Sequence, residues 1–291
     1  MKIYRNINEF ISHQPLSIAL GSFDGVHIAH RKVIEAASKY ERAVFTFDSS
    51  YKSASRLMSQ NAKMQIIENM GIKHYICPEF DDVKNFSAED FCTILKQKFN
   101  AQQVVCGYNF RFGSGGRGNT ELLCHMGNKL GFEVTVIDEI KYGGIDVSSS
   151  NIRSLIQNGR IKTANQLLGN PYSFALTVEN GNHYGRSWGF PTINQIWDED
   201  FTVPAFGVYA SKTLINGKNY KSISNIGVRP TVGTDHILCE TNIFGFSGDL
   251  YGREITVSLY DFIRPERKFC DFEALKAEVL RNIETVKGMD Y

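Results

Sequence analysis

Apolar positions in the first half of the chain alternate between two textures. Short runs at Leu16–Leu20, Ala43–Phe47, His74–Cys77, Gln103–Gly107 and Glu133–Ile137 read as strands, the first of them buried. Between them, Ala29–Tyr40, Lys63–Met70, Ala88–Lys98 and Thr120–Leu130 read as helices. Ser87 is placed to cap the third of these, and Gly71 and Gly131 to end the second and the fourth. Repeated strand–helix units predict the α/β class, with a mostly parallel sheet covered by helices. Ligands of such sheets sit beyond the carboxyl ends of the strands.

Two short helices follow, near Asn151–Gln157 and Thr163–Leu168, with Gly159 and Gly169 after them. From Tyr172 the texture becomes all-β. Asn180-Gly181 and Asn216-Gly217 supply the positive φ angles of tight hairpins. In Arg253–Leu259, Ile255, Val257 and Leu259 share one face, with Thr256 and Ser258 on the other. This half predicts an antiparallel sheet or small barrel, closed by an amphipathic helix over Phe272–Val286. The boundary is placed near Gly169–Pro171, giving domains 1–169 and 170–291.

Composition narrows the function classes. A length of 291 residues suits about two domains at roughly 100–200 residues each. With 42% hydrophobic and 22% charged residues, wholesale disorder is excluded. A formal charge of +1 gives no electrostatic reason to expect nucleic acid as a partner, though small phosphorylated ligands need only a local site. No apolar run approaches the roughly 18–20 residues of a membrane helix, and Met1–Gly21 lacks the apolar stretch of a secretory signal. The 6 cysteines are scattered without a CxxC pair, which points to reduced thiols in a cytoplasmic enzyme. Oligomeric state is not fixed by any of this.

The segment from Gly21 to His30 leaves the first strand and enters the first helix, and carries Phe23, Asp24, Gly25, His27 and His30. Two imidazoles beside unpaired helix N–H groups suit a nucleoside triphosphate; a pair of polar helix caps is the plainer alternative. The segment resembles the HxGH signature of nucleotidylyltransferases. More closely, it is similar to the GxFDGxHxGH form of bacterial bifunctional riboflavin kinase/FAD synthetases, with Ala29 where that family usually has glycine. Gly107–Gly113 is similar to the family's G-x-[DN]-F-x-F-G loop. The resemblance implies that Asn109 bonds a nucleotide or flavin and that Phe110 and Phe112 flank a planar ring. Gly113–Gly118 also satisfies GxGxxG, but Tyr108–Phe112 separate it from the strand end, against a dinucleotide fingerprint. Ser148–Arg153 resembles the family's S-S-T-x-I-R, with Ser149 donating to phosphate and Arg153 neutralising it.

In the β half there is no GxxxxGK[ST]. Gly185–Asn194 instead looks like the riboflavin kinase signature G-R-x-x-G-F-P-T-x-N. Gly185, Gly189 and Pro191 would let backbone approach phosphates. Thr192 and Asn194 share one strand face and are oxygen donors suited to Mg²⁺. Asn225–Thr231, containing Arg229, matches N-I-G-x-R-P-T, and Arg264–Phe269 resembles the family's tail. These resemblances imply that Arg229 and Arg264 bind flavin. They also imply that Glu240, aimed into the barrel mouth, is the general base; Asn242 stands where histidine is common.

The resemblance spans about residues 15–285. It implies a Rossmann-like adenylyltransferase domain followed by a riboflavin-kinase-type β-barrel, using ATP and Mg²⁺ to convert riboflavin to FMN and FMN to FAD. Two alternatives stay open: one catalytic half is lost, or the chain is a flavin-binding regulatory protein.

Overall fold

The run Leu16–Leu20 is buried at every position, as a parallel strand covered on both faces requires. Its alternate residues feed two separate cores: Leu16, Ile18 and Leu20 pack with Phe45, Phe91, Phe99 and Val104, whereas Ala19 packs with Val33, Ile34, Val44 and Val105. The computed structural model describes residues 1–47, 55–180, 190–231 and 234–291. They divide into two compact units, Met1–Ser149 and Ser150–Tyr291.

The first unit is a parallel sheet of β1 (Lys2–Tyr4), β2 (Leu16–Leu20), β3 (Glu41–Phe45), β4 (His74–Ile76), β5 (Ala101–Gly107) and β6 (Glu133–Ile137), in the order β1-β4-β3-β2-β5-β6. The connections carry α1 (Ile28–Ala36), α2 (Gln60–Asn69), α3 (Phe80–Val83), α4 (Ala88–Gln97) and α5 (Thr120–Leu130). A two-stranded ribbon, β7 (Lys141–Tyr142) with β8 (Ile145–Asp146), follows. From β2 the chain builds toward β4 and then returns to place β5 on the other side of β2. That reversal opens the ligand crevice of an α/β sheet between the carboxyl ends of β2 and β5.

The first unit departs from the sequence expectation at β1, α3 and the β7–β8 ribbon, and in the bounds of α1, α2 and β3. β1 is an edge strand with no apolar run of its own. α1 stops at Ala36, not Tyr40, because the chain beyond it has other partners. Arg42 donates to the Ile34 and Ala37 carbonyls at 2.7 and 2.9 Å, and the Gln103 side-chain oxygen accepts from the Ser38 and Lys39 amides.

The second unit begins with α6, whose helix spans Ser149–Gln157, and α7 (Ile161–Leu168). A closed antiparallel barrel follows: β9 (Tyr172–Glu179), β10 (Thr192–Ile196), β11 (Gly207–Ile215), β12 (Lys218–Thr231), β13 (Thr234–Ile243) and β14 (Glu254–Pro265), ordered β10-β13-β12-β11-β14-β9. Asn216 and Gly217, with φ of 50° and 78°, make the β11–β12 turn, as their sequence implies. Gly181 of the other Asn-Gly pair lies outside the described residues.

The barrel interior holds a polar cluster beside apolar residues such as Phe174, Val178, Ile226 and Val257. Ser211, Thr213, Ser222, Ser224 and Thr241 are fully buried and joined at 2.8–2.9 Å, which satisfies hydroxyls that would otherwise be costly to bury. The buried Gln195 of β10 donates to the Leu176 carbonyl of neighbouring β9 and to the Ile255 carbonyl of β14 beyond it, at 2.7 and 2.9 Å. Outside, Val208, Ala210 and Ile223 pack under Ile283 and Val286 of α8 (Phe272–Gly288). Among the described residues, no helix is long and apolar enough to cross a membrane.

On α8, Glu278 pairs with Arg267 and Arg281 at 2.5 Å each and with Arg264 at 3.4 Å. The Arg281 hydrogen bond leads the effects that hold its carboxyl below the usual carboxylate range. A depressed folded-state pKa stabilises above the unfolded value of about 4.3 and loses that contribution as pH falls through the folded value. Glu278→Gln is therefore expected to flatten the fall in melting temperature below about pH 4, as read by circular dichroism across a pH series.

Candidate functional site

The loop leaving β2 is held in an unusual conformation. Phe23, Gly25 and Val26 have φ of 50°, 84° and 37°. For phenylalanine and valine this is strained by about 1–3 kcal/mol each, and it persists only where the surroundings over-determine it. They do so here. The Phe23 ring lies over Gly21, where a Cβ would sit 2.9 Å from the ring. The Asp24 carboxylate accepts from the Leu57 amide and the Asp24 carbonyl from Ser149 Oγ, both at 3.0 Å. Phe23 and Asp24, expected to contact nucleotide, are each 1% exposed, so their side chains shape the loop and leave its backbone to face a ligand.

His27 is the N-cap of α1, its Nδ1 accepting from the His30 amide at 3.2 Å. Accepting at Nδ1 places the neutral ring's proton on Nε2. The two imidazoles stack with centroids 3.5 Å apart and planes 15° apart, and Phe23 meets His30 edge-on at 5.3 Å. A helix N-terminus and two stacked imidazoles thus lie at the end of β2, on the crevice.

The β5 end supplies the facing loop. Phe110 N–H closes a turn on the Gly107 carbonyl at 3.0 Å, leaving Asn109 exposed. Phe112 is 7% exposed, packed against Phe91 with its ring on Gly118. It backs the half-buried Phe110, which stacks on it at 5.6 Å and 15°. Of the two rings expected to flank a ligand, Phe110 alone retains an exposed surface. The glycines of the GxGxxG run serve this loop, which is closed by a Phe112–Gly118 bridge. Gly113 has φ 72°, and a Cβ there would sit 2.8 Å from the Ala88 nitrogen. Gly113→Ala should therefore cost about 1–3 kcal/mol of stability, measurable by urea titration.

Ser149 opens α6, and Arg153 follows one turn later on the same helix face.

In the barrel, register assembles the second site. Across neighbouring strands, Glu179, Asn194, Glu240 and Asn225 form one row, and Thr192 pairs with Asn242 in the next. Directly paired residues share a face, with Cβ atoms about 4.5–5.5 Å apart. Their neighbours Val178, Gln195, Cys239 and Thr241 are the buried, lumen-facing set. Glu240 therefore lies on the face of the wall opposite that set. Asn242 donates to the Pro191 carbonyl at 2.7 Å, anchoring the entry to β10, and Phe190 packs into the core beneath α8. Gly185 and Gly189 lie outside the described residues. Arg229 is placed by register opposite His236. Arg264 donates to Asn282 Oδ1 of α8 at 3.1 Å.

Glu179, Asn225 and Lys63 are absent from the sequence-level site set. The first two become visible only through strand pairing. Lys63 is a buried charge inside a helix whose pattern reads as ordinary.

A family model described as FAD synthetase matches residues 10–151, and one described as riboflavin kinase matches residues 168–289. The chain is 33% identical over 288 residues to the bifunctional riboflavin kinase/FMN adenylyltransferase of Listeria monocytogenes, covering 93% of this chain and 91% of the relative. It is 31% identical to the Escherichia coli protein of the same description, covering 99% and 97% of the two chains. In fold it is similar to a crystal structure described as a macrolide-efflux protein from Streptococcus pneumoniae, with a TM-score of 0.89, 24% identity and 99% of each chain covered. That likeness concerns architecture alone.

Proposed function

Because the chain belongs to the family of bifunctional riboflavin kinase/FMN adenylyltransferases, we infer that it carries both transfers of flavin cofactor biosynthesis. It phosphorylates riboflavin to FMN with ATP, then joins FMN to the adenylyl group of ATP to give FAD and pyrophosphate. The observation that carries this reading is the pairing of two architectures with two motif sets, one on the sheet crevice and one on the barrel wall.

We assign adenylyl transfer to residues 1–169. An oxygen of the FMN phosphate attacks the α-phosphorus of ATP, the bond to the bridging oxygen breaks, and pyrophosphate leaves. The nucleophile is already anionic near pH 7, so no general base is required. His27, His30, the α1 N-terminus, Asn109, Ser149 and Arg153 align ATP and hold the departing charge. Phe110 offers a face to a planar ring.

Phosphoryl transfer is assigned to residues 170–291. The riboflavin 5′-hydroxyl attacks the γ-phosphorus, Glu240 takes its proton, and ADP leaves. Thr192 and Asn194, with a hydroxyl and an amide oxygen on one strand face, fit the hard-oxygen preference of Mg²⁺. When bound there, the ion supplies charge neutralisation for the ATP phosphates. Gly185, Gly189 and Pro191 flank the phosphates, and Arg229 and Arg264 border the flavin. The cysteines among the described residues are free thiols, consistent with a cytoplasmic setting.

Incubation with riboflavin, ATP and Mg²⁺, followed by chromatography, tests the whole reading. FMN and FAD together are expected. FMN alone would reveal a lost adenylyltransferase, and unreacted riboflavin and FMN would overturn both assignments.

A further inference from the structure

Lys63, on α2, is 2% exposed, and neither transfer described above uses it. We propose that Lys63 is a positioning residue for adenylyl transfer, acting with Thr46 to fix the Ser22 carbonyl and so the peptide that opens the His27–His30 loop. The inference rests on the adenylyl-transfer assignment made above.

Lys63 Nζ donates to the Ser22 carbonyl at 2.8 Å, to Thr46 Oγ1 at 3.1 Å and to the Phe47 carbonyl at 2.7 Å. The Thr46 hydroxyl itself donates to the Ser22 carbonyl at 3.0 Å, and Thr46 is fully buried. Ser22 follows β2, and Thr46 and Phe47 follow β3. One cation therefore ties together the carboxyl ends of two adjacent parallel strands, on the ligand side of the sheet.

Packing alone does not explain an ammonium there. A buried charge carries a desolvation cost that an apolar side chain of similar volume, such as methionine, avoids. What the charge provides is directional. Two donors fix the Ser22 carbonyl, and in a trans peptide the N–H of Phe23 then points the opposite way. Both bonds also polarise that peptide, which strengthens its N–H as a donor. Phe23 is the first of the residues at positive φ, so its orientation propagates to Gly25, Val26 and the His27 cap.

The test compares Lys63→Met, Thr46→Val and the double variant in FAD formation from FMN and ATP, with riboflavin phosphorylation by the same proteins as the internal control. Lys63→Met should lower kcat/KM for ATP by about 10–100-fold, and the near-isosteric Thr46→Val by about 3–10-fold. KM for FMN and the kinase rate should hold steady. The double variant should lose less than the product of the single losses, since both groups act on one carbonyl. Lys63→Met that stays folded with unaltered kcat/KM for ATP overturns the proposal. So does a loss that raises both KM values equally alongside a lower melting temperature, the mark of a purely structural residue. Should Lys63→Met fail to fold, Thr46→Val decides alone: wild-type kinetics there overturn the proposal. A wild-type protein that forms no FAD from FMN refutes the adenylyl-transfer assignment itself, a separate outcome.

Discussion

Glu240→Gln is expected to lower riboflavin phosphorylation by about 10²–10⁴-fold, with FMN adenylylation by the same protein unchanged. Glutamine matches the size of glutamate and keeps the row that joins Glu240 to Asn194 on one side and Asn225 on the other. What it lacks is a basic oxygen to take the hydroxyl proton. Steady-state assays of FMN and FAD formation separate the two effects. Loss of both activities in a folded variant would contradict two independent sites, and a retained kinase rate would remove Glu240 from its assigned role.

His30→Ala should act in the opposite sense, reducing FAD formation by about 10²–10³-fold and sparing the kinase. The stacked pair complicates the comparison, because His27 also caps α1 through the His30 amide. His27→Asn resolves it. Asparagine is among the strongest N-caps, so the helix start survives while the imidazole is lost. If His27→Asn were as active as wild type, His27 would be a cap and nothing more.

The parallel sheet was legible because its signals are local. The Leu16–Leu20 run and the Ser87 and Gly131 caps each state their element within a few residues, and all three appear where expected. Residues whose role depends on distant partners were not legible. The shortened α1 depends on Arg42 and Gln103, which lie beyond it in the chain. The side of the barrel wall that carries Glu240 follows from strand pairing and from the burial of Val178, Gln195, Cys239 and Thr241, which no strand announces alone. Asn242, conspicuous as a departure from the family pattern, donates to the Pro191 carbonyl, a partner that only the fold reveals. Lys63 was hidden because its chemistry depends on Ser22 and Thr46, far away in sequence.

The segregation of the barrel wall has an engineering consequence. Thr241 and Cys239 face inward on β13, while Glu240 between them and Asn242 after them face outward. A repacking of the lumen that exchanges mutually bonded hydroxyls for shape-matched aliphatics alters no side chain of the outward row. Thermal tolerance and turnover in this half of the molecule become separately adjustable traits, one written on the odd positions of a strand and the other on the even.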